Sequence, residues 1–263
     1  VNWSIGVNTA GPLVTVVLTF IVLTVYRVMT EQKEKKAIQG MFGQYVSPEI
    51  VEQILKDPGK LNLGGDDMDL TVLFSDIRGF TTMSEGMTPH DLVEHLNEYL
   101  TEMTNIVTDD TKGTLDKYIG DAVMAFWGAP VPLENNALNA CVAAITMMER
   151  LKKLNDGWRA LGKKEIDIGI GLNSGLMTVG NMGSKKHLSY TIMGDPVNLG
   201  SRLEGTNKVY HTNIIISEFT YERVKDFVEA RELDLIRVKG KLKPVRIYEL
   251  LDLKPGVALP KVA

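Results

Sequence analysis

The sequence predicts an α+β domain, a sheet rich in antiparallel hairpins with helices packed on it. Three observations lead there. Short apolar runs stop at turn residues, the segments between them repeat apolar residues at helical spacing, and tight glycine-containing turns join adjacent runs. Leu70 to Phe74 reads as a strand ending at Ser75-Asp76. Thr88-Pro89-His90-Asp91 is a capping signal with proline in the first turn. It opens a helix on which Leu92, Leu96, Tyr99, Leu100, Met103 and Val107 recur at the helical period. Leu115 to Ile119 and Ala122 to Trp127 read as a hairpin pivoting on Gly120-Asp121, and a long helix follows from Asn136 to Lys153. Ile166 to Leu172 and Leu176 to Val179 are expected to form a second hairpin around Asn173-Ser174-Gly175. A helix at Val197 to Gly205, a strand at Ile214 to Ser217 and a helix at Glu218 to Phe227 come next. A last strand pair should surround Val238-Lys239-Gly240-Lys241.

With 263 residues, 44% of them hydrophobic, the chain can bury one substantial core and carry a short appendage. The formal net charge of −4 argues against a basic surface for nucleic acid, so phosphates would have to be held by local constellations or by metals. The one cysteine, Cys141, excludes an internal disulfide and reads as a buried helix residue among Ala140, Val142 and Ala143. His90, His95, His187 and His211 show no metal-ligand spacing.

No charged residue occurs from Val1 to Tyr26. A helix from Ile5 to Tyr26 would span ~30 Å, the thickness of a bilayer's hydrocarbon core. Arg27, Lys33, Lys35 and Lys36 follow, which predicts a single-pass anchor in the inner or plasma membrane with everything downstream in the cytoplasm. The alternatives are a buried helix and a signal peptide; the latter fits worse, because no basic segment precedes the apolar run and no small-residue cleavage site follows it. The expected organisation is a transmembrane helix over 1–28, a helical neck over 29–65, a globular domain over 66–255 and a tail over 256–263. Within the neck, Ser47 and Pro48 are suited to start a helix, although a passive linker is an alternative. The missing initial methionine leads us to expect an upstream part that this chain does not contain.

Two stretches point to chemistry. In Phe74-Ser75-Asp76-Ile77-Arg78-Gly79-Phe80 an apolar strand delivers a carboxylate to a glycine turn, where backbone N–H groups can approach an anion. In Lys117-Tyr118-Ile119-Gly120-Asp121 a second carboxylate sits on a tight hairpin. Either aspartate alone reads more readily as a cap or turn former. Together, on adjoining strands, they would suit Mg²⁺, which favours hard oxygen ligands and leaves positions for phosphate and water.

FSDIRGF, DKYIGDAVMAFWG, YTIMGDPVNLGSRLE and VKGK, with the neck FGQYVSPEIV ahead of them, make the chain from Phe42 to Tyr248 resemble the class III nucleotidyl cyclases. The resemblance implies a ferredoxin-like, antiparallel-rich sheet and an adenylyl cyclase that converts ATP to cyclic AMP and pyrophosphate with two Mg²⁺ or Mn²⁺ ions per site. It implies metal ligation by Asp76, Asp121 and the Ile77 carbonyl, with Gly79 and Phe80 beside the phosphates. Lys117 and Thr191 correspond to the base-reading pair; guanylyl cyclases of the family usually carry Glu and Cys there. Asn198 and Arg202 correspond to the ribose-orienting and transition-state residues, and Lys239, with Lys241 near it, to the lysine on the terminal phosphates. His187 stands where relatives often have arginine, which leaves open which of Lys185, Lys186 and His187 faces the phosphates. The family's sites are shared between subunits, so a homodimer is expected, with an upstream sensor domain and no nucleic-acid partner. The alternatives are a guanylyl cyclase and a non-catalytic nucleotide-binding signal transducer.

Overall fold

A computed structural model describes residues 15–27, 29–30, 64–184, 187–237 and 243–257. The chain divides into two units, Val1–Lys56 and Asp57–Ala263. In the first, residues 15–27 are helical. Among the described residues no helix is long and apolar enough to cross a membrane, so the transmembrane span expected over 1–28 is not supported by the structure. The neck lies almost wholly outside the described residues.

The second unit begins with β1 (Gly64–Ile77), α1 (Phe80–Glu85) and α2 (Pro89–Asn105), the last running into a π-helical turn at Ile106–Asp110. Thr88 caps α2 as its sequence predicts, its hydroxyl accepting from the Asp91 N–H at 3.2 Å. β2 (Thr114–Ile119) and β3 (Ala122–Trp127) form the expected hairpin, in which Gly120 takes φ +68°, a left-handed conformation that glycine adopts without strain. α3 (Asn136–Ala160), β4 (Ile168–Ser184), β5 (His187–Met193) and α4 (Asp195–Tyr210) follow. β6 (Ile214–Ser217), α5 (Glu218–Val224), β7 (Val228–Ile236) and β8 (Val245–Leu253) complete the domain.

The sheet order is β2-β3-β1-β4-β6-β8-β7, with β5 also paired to β4. From β1 to β4 the connectivity and order are those of the ferredoxin-like motif, with every pairing antiparallel. The β4–β6 pairing is parallel, which makes the sheet mixed. Side chains alternate between its faces. Leu73, Val123, Ala125 and Trp127 join α2 and α3 in the main core. Val72, Phe74, Met124 and Phe126 meet Met177, Val179 and Ile192 in a second cluster on the other face.

One expectation fails. Residues 166–179 do not form a hairpin; β4 runs unbroken through Asn173-Ser174-Gly175, which pair with Val72, Thr71 and Leu70. These turn-forming residues stay extended because their polar groups find buried partners. Asn173 Nδ2 donates to the Pro196 carbonyl at 2.7 Å, Ser217 Oγ donates to Asn173 Oδ1 at 2.6 Å, and Ser174 Oγ meets Thr71 Oγ1 at 2.7 Å. The helices also end elsewhere than read: α3 and α4 are longer than expected and α5 is shorter. β7 and β8 supply the final strand pair, while Val238-Lys239-Gly240-Lys241 lies outside the described residues.

Helix α4 lies on β4 at a spacing that only glycine permits. A Cβ at Gly171 would sit 2.2 Å from the Glu204 backbone nitrogen and 2.5 Å from the Gly200 carbonyl oxygen. Gly171→Ala is therefore expected to lower stability by about 1–3 kcal/mol. Gly205→Ala, on the same helix with nothing within 4 Å of its added methyl, should raise it by roughly 0.5–1 kcal/mol. Urea unfolding of the two variants beside the parent checks both signs.

Candidate active site

Pairing of β1 with β3 brings the two aspartates of the motifs together. The ladder runs from Thr71–Trp127 to Ser75–Val123, and just past it the Ile77 N–H donates to Asp121 Oδ2 at 3.2 Å. Asp76, one residue before Ile77, carries a side chain 31% exposed, and Lys208 Nζ of α4 approaches its Oδ2 at 3.8 Å. Burial pushes the Asp121 carboxyl above the usual carboxylate range, and the negative charge of Asp76 adds to the shift, against the Ile77 hydrogen bond. Two half-buried acids that repel one another are suited to divalent cations. Hard oxygen donors on two adjoining strand ends, with an open side, are the donor set Mg²⁺ or Mn²⁺ takes, the remaining positions going to phosphate and water.

Gly79 turns the chain away from β1 with φ +66°, and Phe80 starts α1 while packing against the main core. Arg78 of the same motif is structural: its guanidinium pairs with Asp167 at 3.0 Å and donates to the Thr212 carbonyl.

The base-reading candidates also meet. Lys117 Nζ of β2 donates to Thr191 Oγ1 of β5 at 3.3 Å. Asn198 and Arg202 stand one turn apart on α4, Asn198 exposed and Arg202 half-buried. His187 is exposed at the start of β5; Lys185, Lys186, Lys239 and Lys241 lie outside the described residues.

Three site residues escape the sequence reading. Lys208 reaches Asp76. Glu204, one turn before it on α4, has a buried Oε1 with no hydrogen-bond partner, and its carboxyl is pushed up to about 7, first by burial and then by Asp76. Asp116 is buried against the Lys117–Thr191 pair. For Glu204 and Lys208 a signal existed, since a Glu-x-x-x-Lys pair two residues beyond Arg202 marks a helix face of its own.

Residues 66–252 match the family model described as the adenylate and guanylate cyclase catalytic domain. The chain is 37% identical over 216 residues to adenylate cyclase 1 of Rhizobium meliloti (strain 1021), an alignment spanning 82% of this chain and 32% of that protein. The solved adenylyl cyclase CyaB from P. aeruginosa superposes with a TM-score of 0.69 at 39% identity, covering 74% of this chain and 100% of that one. The guanylyl cyclase Cya2 superposes with a TM-score of 0.67 at 35% identity, over 75% and 98%. The chain thus belongs to the adenylate and guanylate cyclase catalytic-domain family.

Glu204 makes stability depend on pH in a known direction. Its folded pKa lies above the unfolded value of about 4.3, so the folded state binds the extra proton between pH 4.3 and 7, and stability falls as pH rises through that window. Glu204→Gln should melt above the parent at pH 8 and close to it at pH 4.5, which thermal unfolding at the two pH values tests.

Proposed function

We propose that the domain is an adenylyl cyclase, converting ATP to 3′,5′-cyclic AMP and pyrophosphate at sites shared by two copies of the chain. The observation that carries the substrate is the Lys117–Thr191 pair, held together at 3.3 Å. A lysine donates to the N1 acceptor of adenine, and a threonine hydroxyl accepts from its exocyclic amine. Guanine presents the reverse pattern, and the Glu and Cys usual in guanylyl cyclases are absent at these positions. The likeness to Cya2 keeps GTP as the second reading.

Asp76 and Asp121, with the Ile77 carbonyl, would hold two divalent cations. Bound there, the metals supply positive charge to the phosphates and acidify the attacking ribose hydroxyl. The chain's own groups do the rest. Asn198 orients the ribose so that the 3′-hydroxyl faces the α-phosphorus in line with the departing pyrophosphate. Arg202 stabilises the charge that accumulates on the α-phosphate oxygens. Gly79 and Phe80 border the phosphates, and Lys239 is assigned to the terminal ones.

Helix geometry supports the shared site. At ~100° per residue, the Asn198/Arg202 stripe lies ~120° around α4 from the Glu204/Lys208 stripe. The second stripe attends to the chain's own Asp76. The first is then directed elsewhere, as a two-fold dimer requires. Location is a separate reading: the uncharged run over 1–26, with Val16, Phe20 and Val22 exposed on its helix, favours a membrane anchor, testable by carbonate extraction of cell membranes.

Purified protein given ATP or GTP with Mn²⁺ should release mainly cyclic AMP. A Lys117→Glu, Thr191→Cys double variant should lose at least about tenfold in its ratio of ATP to GTP turnover; an unchanged ratio puts base reading elsewhere.

Asp76→Ala and Arg202→Ala chains should each be inactive alone and recover about a quarter of parental activity when co-expressed, since half the dimers are mixed and each mixed dimer keeps one intact site. No recovery in verified mixed dimers would mean that each chain builds its own site.

A further inference from the structure

We propose that Asp116 is a specificity-determining residue that acts by fixing the direction of the Thr191 hydroxyl proton, so that the pocket offers an acceptor to the 6-position of the purine. The proposal rests on the adenine reading above and deepens it.

The starting point is an irregularity in β2. Leu115 pairs with Ala125 and Lys117 with Met124, so Asp116 is an extra residue with no opposite number on β3. Such a bulge re-aims side chains that a regular strand would send to opposite faces. Here it turns the neighbours Asp116 and Lys117 toward one another: Lys117 Nζ lies 3.0 Å from Asp116 Oδ1. The other carboxylate oxygen, Oδ2, lies 2.5 Å from Thr191 Oγ1. The Asp116 side chain is fully buried, while that of Lys117 is 42% exposed. Asp116 thus sits beneath the pair, and Lys117 reaches the surface where a base would stack.

The hydrogen-bond inventory then leaves one arrangement. A carboxylate only accepts, so the single hydroxyl proton of Thr191 is committed to Asp116. Lys117 has only donors, and it too gives a proton to Thr191 Oγ1, at 3.3 Å. What Thr191 has left for a ligand is a lone pair. An exocyclic amine satisfies it, whereas a 6-oxo group meets it acceptor to acceptor, with no proton between them. A threonine without Asp116 could turn its hydroxyl and serve either base. Selectivity therefore belongs to the triad, and Lys117 and Thr191 alone do not secure it.

Asp116→Asn tests this with almost no change in shape. The lysine accepts nothing, so the amide must turn its oxygen to Lys117 and its NH₂ to Thr191. That reverses the bond and frees the hydroxyl proton to point at the base. We expect the ratio of kcat/KM for ATP to kcat/KM for GTP to fall by about tenfold or more. A merely structural role would lower both values together and leave the ratio alone, and that result overturns the proposal, as does an unchanged variant. A parent enzyme that prefers GTP overturns the adenine reading and this proposal together. A parent that prefers ATP, with an unmoved ratio in the variant, overturns this proposal alone. Should the variant not fold, the parent protein decides. Purine riboside triphosphate and its 6-methoxy form both keep the N1 acceptor for Lys117, but only the second places an acceptor at position 6. The 6-methoxy compound should be turned over at least about fivefold more slowly; equal or faster turnover shows a hydroxyl free to turn and overturns the proposal.

Discussion

The ladder between β1 and β4 is the constraint on which the rest of the site depends. It is continuous from Gly64–Asn181 to Ile77–Ile168. One end of this ribbon delivers Asp76 beside the β2–β3 turn. The other end carries β5, and so Thr191, which must reach Lys117 although β2 and β5 lie on opposite sides of β1 in the strand order. The ribbon manages this by curling over the second apolar cluster, in which Val72 and Phe74 face Met177 and Ile192. Close backbone contact comes with the curl: a Cβ at Gly180 would sit 2.2 Å from the Gly64 carbonyl oxygen. A one-residue slip of β1 against its neighbours would send Asp76 to the opposite face and exchange the two cores.

The acidic end of the ribbon is held at some cost in stability. Asp121 and Glu204 both have carboxyls raised by burial and by the charge of Asp76. A fold selected for stability alone would not gather these groups. Lys208 and Arg78 offset part of the repulsion, and bound cations would remove much more, so substrate with its metals should tighten the domain as well as fill it.

Much of this is legible in the sequence because it is local. The Thr88 cap, the Gly120-Asp121 turn and the apolar face of α2 each follow from residues within a few positions of one another, and the structure has all three. The two aspartates can be paired because one ends an apolar strand and the other sits on a tight hairpin turn, and the pairing of β1 with β3 then brings them together. Asn173-Ser174-Gly175 misleads because its composition is that of a turn, while its conformation is settled by Thr71, Pro196 and Ser217, all far away in sequence. Asp116 is hidden for a related reason. Strand alternation assigns it to the face opposite Lys117, and only the bulge, which no residue between Leu115 and Lys117 announces, puts the two on one side.

β2 is the last strand of the sheet, and its outer half, from Lys117 to Ile119, is exposed. Residues there can be exchanged without opening a cavity or straining a neighbour in the core. The acidic end is different, since Asp76 hangs from β1, which lies between β3 and β4. On the roles proposed above, Lys117 and the metal-holding Asp76 are therefore under unequal packing restraint. Of the proposed base-reading groups only Lys117 lies at this margin; Thr191 and the Asp116 side chain are buried and cannot be exchanged without repacking their surroundings. An adenylyl cyclase and a guanylyl cyclase superpose almost equally well on this chain, so the course of the backbone does not by itself distinguish the two purines.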